Sequence, residues 1–130
     1  MTTETELQSI SFSALPALGH SLAGGIFRGI TTTKDGSHCA VVRLPDVLPA
    51  SSWAKAKAAV KKVGGQLPSK AVGALLASNE KLERGWYWTD EEWEGDASCA
   101  WVFDSDGFTL NVLKSAAGGA LAVRLIPITA

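Results

Sequence analysis

The sequence predicts an α+β domain whose helices are segregated from its strands. Three observations carry this. A hairpin signature stands in the first third of the chain, two helical stretches occupy the middle, and short β-type stretches fill the remainder. The 130 residues suit a single domain. With 46% hydrophobic and 19% charged residues, the chain can build a core.

Residues 1–22 are low in signal and are expected to form an N-terminal extension or an edge strand, with "SISFSAL" as its extended part. The domain proper is expected over 23–130. Two stretches rich in β-branched residues, 24–33 and 38–44, flank Lys34-Asp35-Gly36-Ser37. Asp-Gly between such stretches marks an antiparallel hairpin, because glycine accepts positive φ. In "SSWAKAKAAVKKV", Trp53, Ala56, Val60 and Val63 fall at helical spacing, with lysines opposite. Ser51 or Ser52 supplies its N-cap and Gly64-Gly65 its stop. A second, shorter helix follows Pro68, capped by Ser69, with Val72, Leu75 and Leu76 inward and Asn79 as its end. The rest reads as strand "WYW", polar loop "EEWEGDAS", strand "CAWVFD", turn "DSDG", strand "FTLNVLK", turn "SAAGG" and closing strand "ALAVRLIPI".

Composition excludes several classes. A net charge of −1 offers no basic excess for a nucleic-acid backbone. No run of about 18 apolar residues is present to span a membrane. The start, "MTTETELQSISF", has Glu4 and Glu6 and no basic n-region, so a cytoplasmic product without a signal peptide is expected. Cys39 and Cys99 read as free, buried thiols that can lie close across a sheet. Two cysteines with His20 and His38 at unsuitable spacing make no metal site, and no cofactor is implied. No serine elbow, glycine-rich phosphate loop or local Cys–His pair occurs, so no catalytic residue is assigned and a non-enzyme is expected.

"GWYWTDEEWEGDASCAW" holds four of the five tryptophans. Trp86 and Trp88 are two apart and share a face on a strand, with Trp101 on the next strand as a cross-strand neighbour. Core packing is the expectation for Trp53, Trp86 and Trp101, and Trp86, Trp88 and Trp101 are expected to floor the small sheet. Trp93 sits among Asp90, Glu91, Glu92, Glu94 and Asp96, either as a contact residue or as a lid over the core. These five acids read as solvated side chains of a loop, with the lysine face of the first helix as the alternative partner and a hard cation as the minority reading. Asp104-Ser105-Asp106-Gly107 is explained by Asx turn chemistry.

The order "GGQLPS" at 64–69, a helix, "GWYWTDEE" at 85–92, "CAWVF" at 99–103, Lys114 and "AVRLI" at 122–126 resembles the DUF1566 family, also called the Lcl C-terminal domain, and its short phage and prophage members. The resemblance spans about residues 36–128. It implies a C-type-lectin-like fold. Two helices would flank a small twisted antiparallel sheet, the N- and C-terminal strands would pair, and Ala122–Ile128 would pair with the Val41–Leu44 strand. Thr89-Asp90 departs from the family's double serine, and neither calcium-lectin triplets nor paired redox cysteines are present.

The implied function is a non-catalytic binding module of phage or prophage origin. It would recognise a host surface glycan or protein through the loop side of the fold. On that side stand Trp93, Asp90, Glu91, Glu92, Glu94 and Asp96 as the expected ligand-binding residues. Alternatives are a structural or assembly protein of a phage tail or fibre, whose partner is another phage protein, and an intracellular inhibitor of a host protein. Virion association and homo-oligomerisation are compatible with each.

Overall fold

The computed structural model describes residues 7–130, so the first six residues of the expected N-terminal extension lie outside it. Eight strands and two α-helices follow the order β1 (Ile10–Ser11), β2 (Ser21–Leu22), β3 (Gly25–Thr32), β4 (His38–Arg43), α1 (Trp53–Lys62), α2 (Lys70–Asn79), β5 (Trp86–Glu92), β6 (Cys99–Asp104), β7 (Thr109–Leu113) and β8 (Val123–Thr129). This is an α+β architecture. The expected single sheet is instead two: five strands in the order β1-β8-β4-β3-β2, and three in the order β5-β6-β7.

The larger sheet grows from the β3–β4 hairpin. Gly36 takes φ +88° in its turn, and Asp35 Oδ1 accepts from the Ser37 N–H at 3.0 Å and from the Thr33 hydroxyl. β8 joins β4 antiparallel, pairing Val41 with Leu125 and Ala40 with Ile126. β1 then adds to β8 in parallel through Ile10 with Ile128. The apolar, β-branched β8 thus lies between two partners, and the two-residue β1 forms the sheet edge in its place.

Both faces of the central strands are covered. Ala40 and Val42 of β4 and Val102 of β6 enter one cluster with Trp53, Ala56 and Val60 of α1. Val41 and Phe103 enter a second with Val72 and Leu76 of α2. Successive residues of a strand point to opposite faces, so unbroken apolar runs such as "AVV" and "AWVF" serve two cores at once. Gly73 lets α2 approach closely: a Cβ there would stand 2.6 Å from the Phe103 ring.

The segment between β7 and β8 joins the two sheets. The Trp88 N–H donates to Gly119 O at 2.9 Å and the Leu44 N–H donates to Ala122 O at 2.9 Å. Gly118 is pressed against two indoles, where a Cβ would fall 2.2 Å from Trp86 and 2.6 Å from Trp88 Nε1. Cys39 and Cys99 are buried and free. They lie in different sheets, not across one.

Candidate functional site

The acids of 90–92 are not in a loop. They complete β5, and only a short turn from Trp93 to Ser98 separates it from β6. Charge density suggested a loop because it is uncommon on a paired strand. Here the pairing is irregular and tolerates it. Trp88 pairs with Val102 and Glu92 with Ala100, so three residues of β5 lie opposite Trp101 alone. Such a bulge re-aims side chains.

Thr89, completely buried, holds the bulge together. Its hydroxyl donates to Trp101 O at 2.8 Å and accepts from the Glu91 N–H at 3.1 Å. Its carbonyl accepts the Trp53 indole N–H at 2.8 Å. The Asp90 N–H donates to Pro68 O at 2.9 Å. The bulge is therefore fixed from three sides and carries its carboxylates at set positions.

Those carboxylates form one wall of a groove of about 800 Å³. Asp90, Glu91, Glu92 and Glu94 stand on one side, and Thr31, Thr32, Thr33 and Lys34 of the hairpin on another. Gln66, Ser69 and Lys70 close it at the start of α2. Trp93 and Asp96 do not line it.

Each acid has a distinct environment. Glu91 Oε2 accepts the Lys70 N–H at 2.7 Å, while Ser69 Oγ accepts the Val72 N–H at 3.1 Å. The start of α2 is thus capped by a carboxylate and a hydroxyl, a favourable pairing with the positive helix end. Glu92 meets Lys114 at 2.8 Å, and that hydrogen bond and charge hold its carboxyl below the usual range. Asp96 is low because it accepts from the Ser98 N–H and hydroxyl at 2.9 and 2.7 Å, a turn contact outside the groove.

The nearest answering cations are Lys114 and Lys34, not α1. Lys34 Nζ stands 4.0 Å from Glu91 but is almost fully exposed, so water screens it. Lys57 of α1 acts on Asp90 and Glu92 only as a minor charge.

Asp90 and Glu94 are the two groove acids without a structural partner of this kind. Crowding that strips water from Asp90 pushes its pKa up, and the Glu91 charge adds to this. The side chain still reaches solvent. Glu94 is held low, by its own backbone N–H first and then by the Trp101 indole. That approach falls short of hydrogen-bonding geometry, and the buried Trp101 Nε1 has no partner.

The tryptophans separate cleanly. Trp53 and Trp88 are core, each indole N–H donating to a backbone carbonyl at 2.8 Å: Thr89 O and Ser51 O. Trp86 packs edge-on against Trp88, centroids 5.3 Å apart. Trp101 departs from expectation. It is half-buried, in neither core cluster, and lies under Lys70, whose Nζ is 4.2 Å from the ring centroid. The run "CAWVF" contains no polar residue to reveal which face Trp101 takes. Trp93 is no lid over the core. It is half-buried against its own turn, so that a Cβ at Gly95 would meet its ring at 2.7 Å.

A second cavity of about 530 Å³ lies between the segment after β4 and the segment after α2. At its wall Glu80 sits between Arg28 and Arg43, at 3.0 and 3.8 Å. This cluster ties α2 to the β3–β4 hairpin and carries no free carboxylate.

Among the described residues, no group of three or more His, Cys, Asp or Glu side chains is placed to hold a metal ion. Nor is any helix among them long and apolar enough to cross a membrane. Comparison with protein-family models, curated proteins and solved structures finds no match to the chain.

Proposed function

We propose that the chain is a non-catalytic binding module with a C-type-lectin-like fold, akin to DUF1566 domains of phage and prophage. In this reading it recognises a glycan through the groove between the β3–β4 turn, the start of α2 and the β5 bulge. The lectin-like assignment is supported by the order of motifs from "GGQLPS" to "AVRLI" and by the pairing of the terminal strands β1 and β8.

The observation that carries the glycan reading is the make-up of the groove. Thr31, Thr32, Thr33, Ser69 and Gln66, two lysines, and Asp90 and Glu94 all line one space. A sugar presents alternating donors and acceptors, and such a wall supplies both. Lys70 of this wall also covers the Trp101 ring, whose indole N–H is buried. Glu91 and Glu92 are committed to α2 and Lys114, which leaves Asp90 and Glu94 as the acceptors for a ligand.

The test is retention of the purified protein on host cell-envelope polysaccharide. Glu94→Gln and Lys70→Ala are expected to weaken retention at least about tenfold, the loss of one charged hydrogen bond. Trp93→Ala is expected to leave it unchanged. Retention that survives both groove changes and fails in Trp93→Ala removes the groove as the site and returns it to the turn.

A further inference from the structure

The cavity between the segment after β4 and the segment after α2 holds a charge that its own walls do not balance. Glu80 is the single carboxylate between two guanidiniums, Arg28 and Arg43. All three side chains are largely buried, with exposures of 22% for Arg28, 20% for Arg43 and 13% for Glu80. Among the described residues, Arg28 otherwise meets only Asn79 O, at 3.3 Å, and Arg43 only Leu44 O, at 2.6 Å. Carbonyls carry no net charge, so one positive charge is left over where little water reaches. A charge so placed is costly until a counter-charge joins it.

Arg43 brings this excess to the cavity wall. Asp46, Glu83, Lys81 and Arg84 also line the space, but all four are exposed, and their charges cancel in pairs and are screened by water. Much of the remaining wall is apolar, made by Leu48, Leu82, Tyr87, Ala120 and Leu121. Tyr87 is fixed: its hydroxyl donates to Glu83 O at 2.7 Å and its ring rests against Phe103, centroids 5.6 Å apart. Gly119 leaves the ring its room, since a Cβ there would stand 2.7 Å from it. Burial first, then the Glu83 charge, push the Tyr87 pKa up, while the Arg43 charge pulls it down, so guanidinium and phenol share one space.

We propose that this cavity binds a small organic acid, a single carboxylate on an apolar body the size of an amino-acid side chain. The carboxylate meets the planar guanidinium of Arg43, whose donors match its two oxygens. The body lies against Tyr87, Leu82 and Leu121. At about 530 Å³ the space suits such a ligand. The site is separate from the acidic groove, where Asp90, Glu91, Glu92 and Glu94 outnumber two lysines and repel the same ligand. Free acids and the C-termini of peptides both carry this chemistry.

The test is a titration of the ¹⁵N-labelled full chain with N-acetylphenylalanine and N-acetylleucine up to about 10 mM, a range that captures millimolar affinity. Saturable shifts are expected at the backbone amides of Leu82, Gly85 and Gly119, which line the cavity, and at the Arg43 Nε–H. The matching amides keep the body and lack the charge, and are expected to bind at least about tenfold more weakly. Arg43→Gln is expected to bring acid and amide to the same affinity. Lys81→Ala and Arg84→Ala, at exposed positions, are expected to change it less than about fivefold. A short peptide ending in a free phenylalanine carboxylate separates the sources: tighter binding than N-acetylphenylalanine marks a chain end, weaker binding a free acid, and either supports the site. Acids that shift none of these signals overturn the proposal. So do acids and amides that shift them alike in the wild type, a comparison independent of how Arg43→Gln folds.

Discussion

β5 is two strands in one. From Trp86 to Trp88 it is regular, its outer edge is bonded to Gly119, and its indoles fill the space under Gly118. From Asp90 to Glu92 it is bulged, acidic and turned to the groove. Thr89 is the boundary, and its single hydroxyl joins the two arrangements. The difference teaches that a core strand and an acidic groove wall need only one buried polar residue between them. The bulge sets the surface apart from the ladder while the core keeps it rigid.

Substitutions on either side of Thr89 sharpen this contrast. Trp88→Ala removes a completely buried indole and its bond to Ser51 O, so a loss of about 3–5 kcal/mol is expected in urea unfolding. Trp93→Ala, by contrast, is expected to cost about 1 kcal/mol or less. A cost at Trp93 equal to that at Trp88 would break the division.

Gly118→Ala drives a methyl into both indoles and is expected to cost about 1–3 kcal/mol, read as a lower melting temperature. Thr89→Val keeps the shape but leaves Trp101 O and the Glu91 N–H without their partner, at an expected cost of about 1–3 kcal/mol. Glutamate to glutamine at Glu91 weakens the charged cap of α2 by about 0.3–1 kcal/mol, with slightly faster amide exchange at Lys70.

Asp90→Asn gives the smallest effect, and it has the opposite sign. The folded-state pKa of Asp90 is raised, so its ionised form opposes folding at neutral pH. That cost grows as pH rises through the interval between the ordinary value of 3.8 and the raised one, and is absent below it. The variant is therefore expected to melt slightly higher at pH 7 and identically to wild type at strongly acid pH. A gain that persists at acid pH would exclude titration of Asp90 as its cause.

Local chemistry made much of the fold legible. Asp35-Gly36 marked the β3–β4 hairpin, the 3.6-residue spacing from Trp53 to Val60 marked α1, and Ser69 marked the start of α2. The bulge left no comparable mark. Asp90, Glu91 and Glu92 have the composition of a loop, and only the contacts of Thr89 with Trp53 and Trp101 make them a strand. Those partners are 36 and 12 residues away, beyond any local pattern. The division into two sheets was hidden for the same reason, since the glycines at 118 and 119 read as turn formers and serve as close-contact points. Four of the six expected ligand-binding residues line the groove. Its other wall, from Thr31 to Lys34, showed only as a hairpin turn, and the resemblance carried no pointer to it.

The most direct measurement is a titration of the ¹⁵N-labelled protein with host cell-envelope polysaccharide, read at the five indole N–H signals. Binding in the groove is expected to move the Trp101 signal, whose N–H is unpartnered, and to leave Trp53 and Trp88 in place. Movement of Trp93 with Trp101 unmoved would contradict the account and place recognition on the turn.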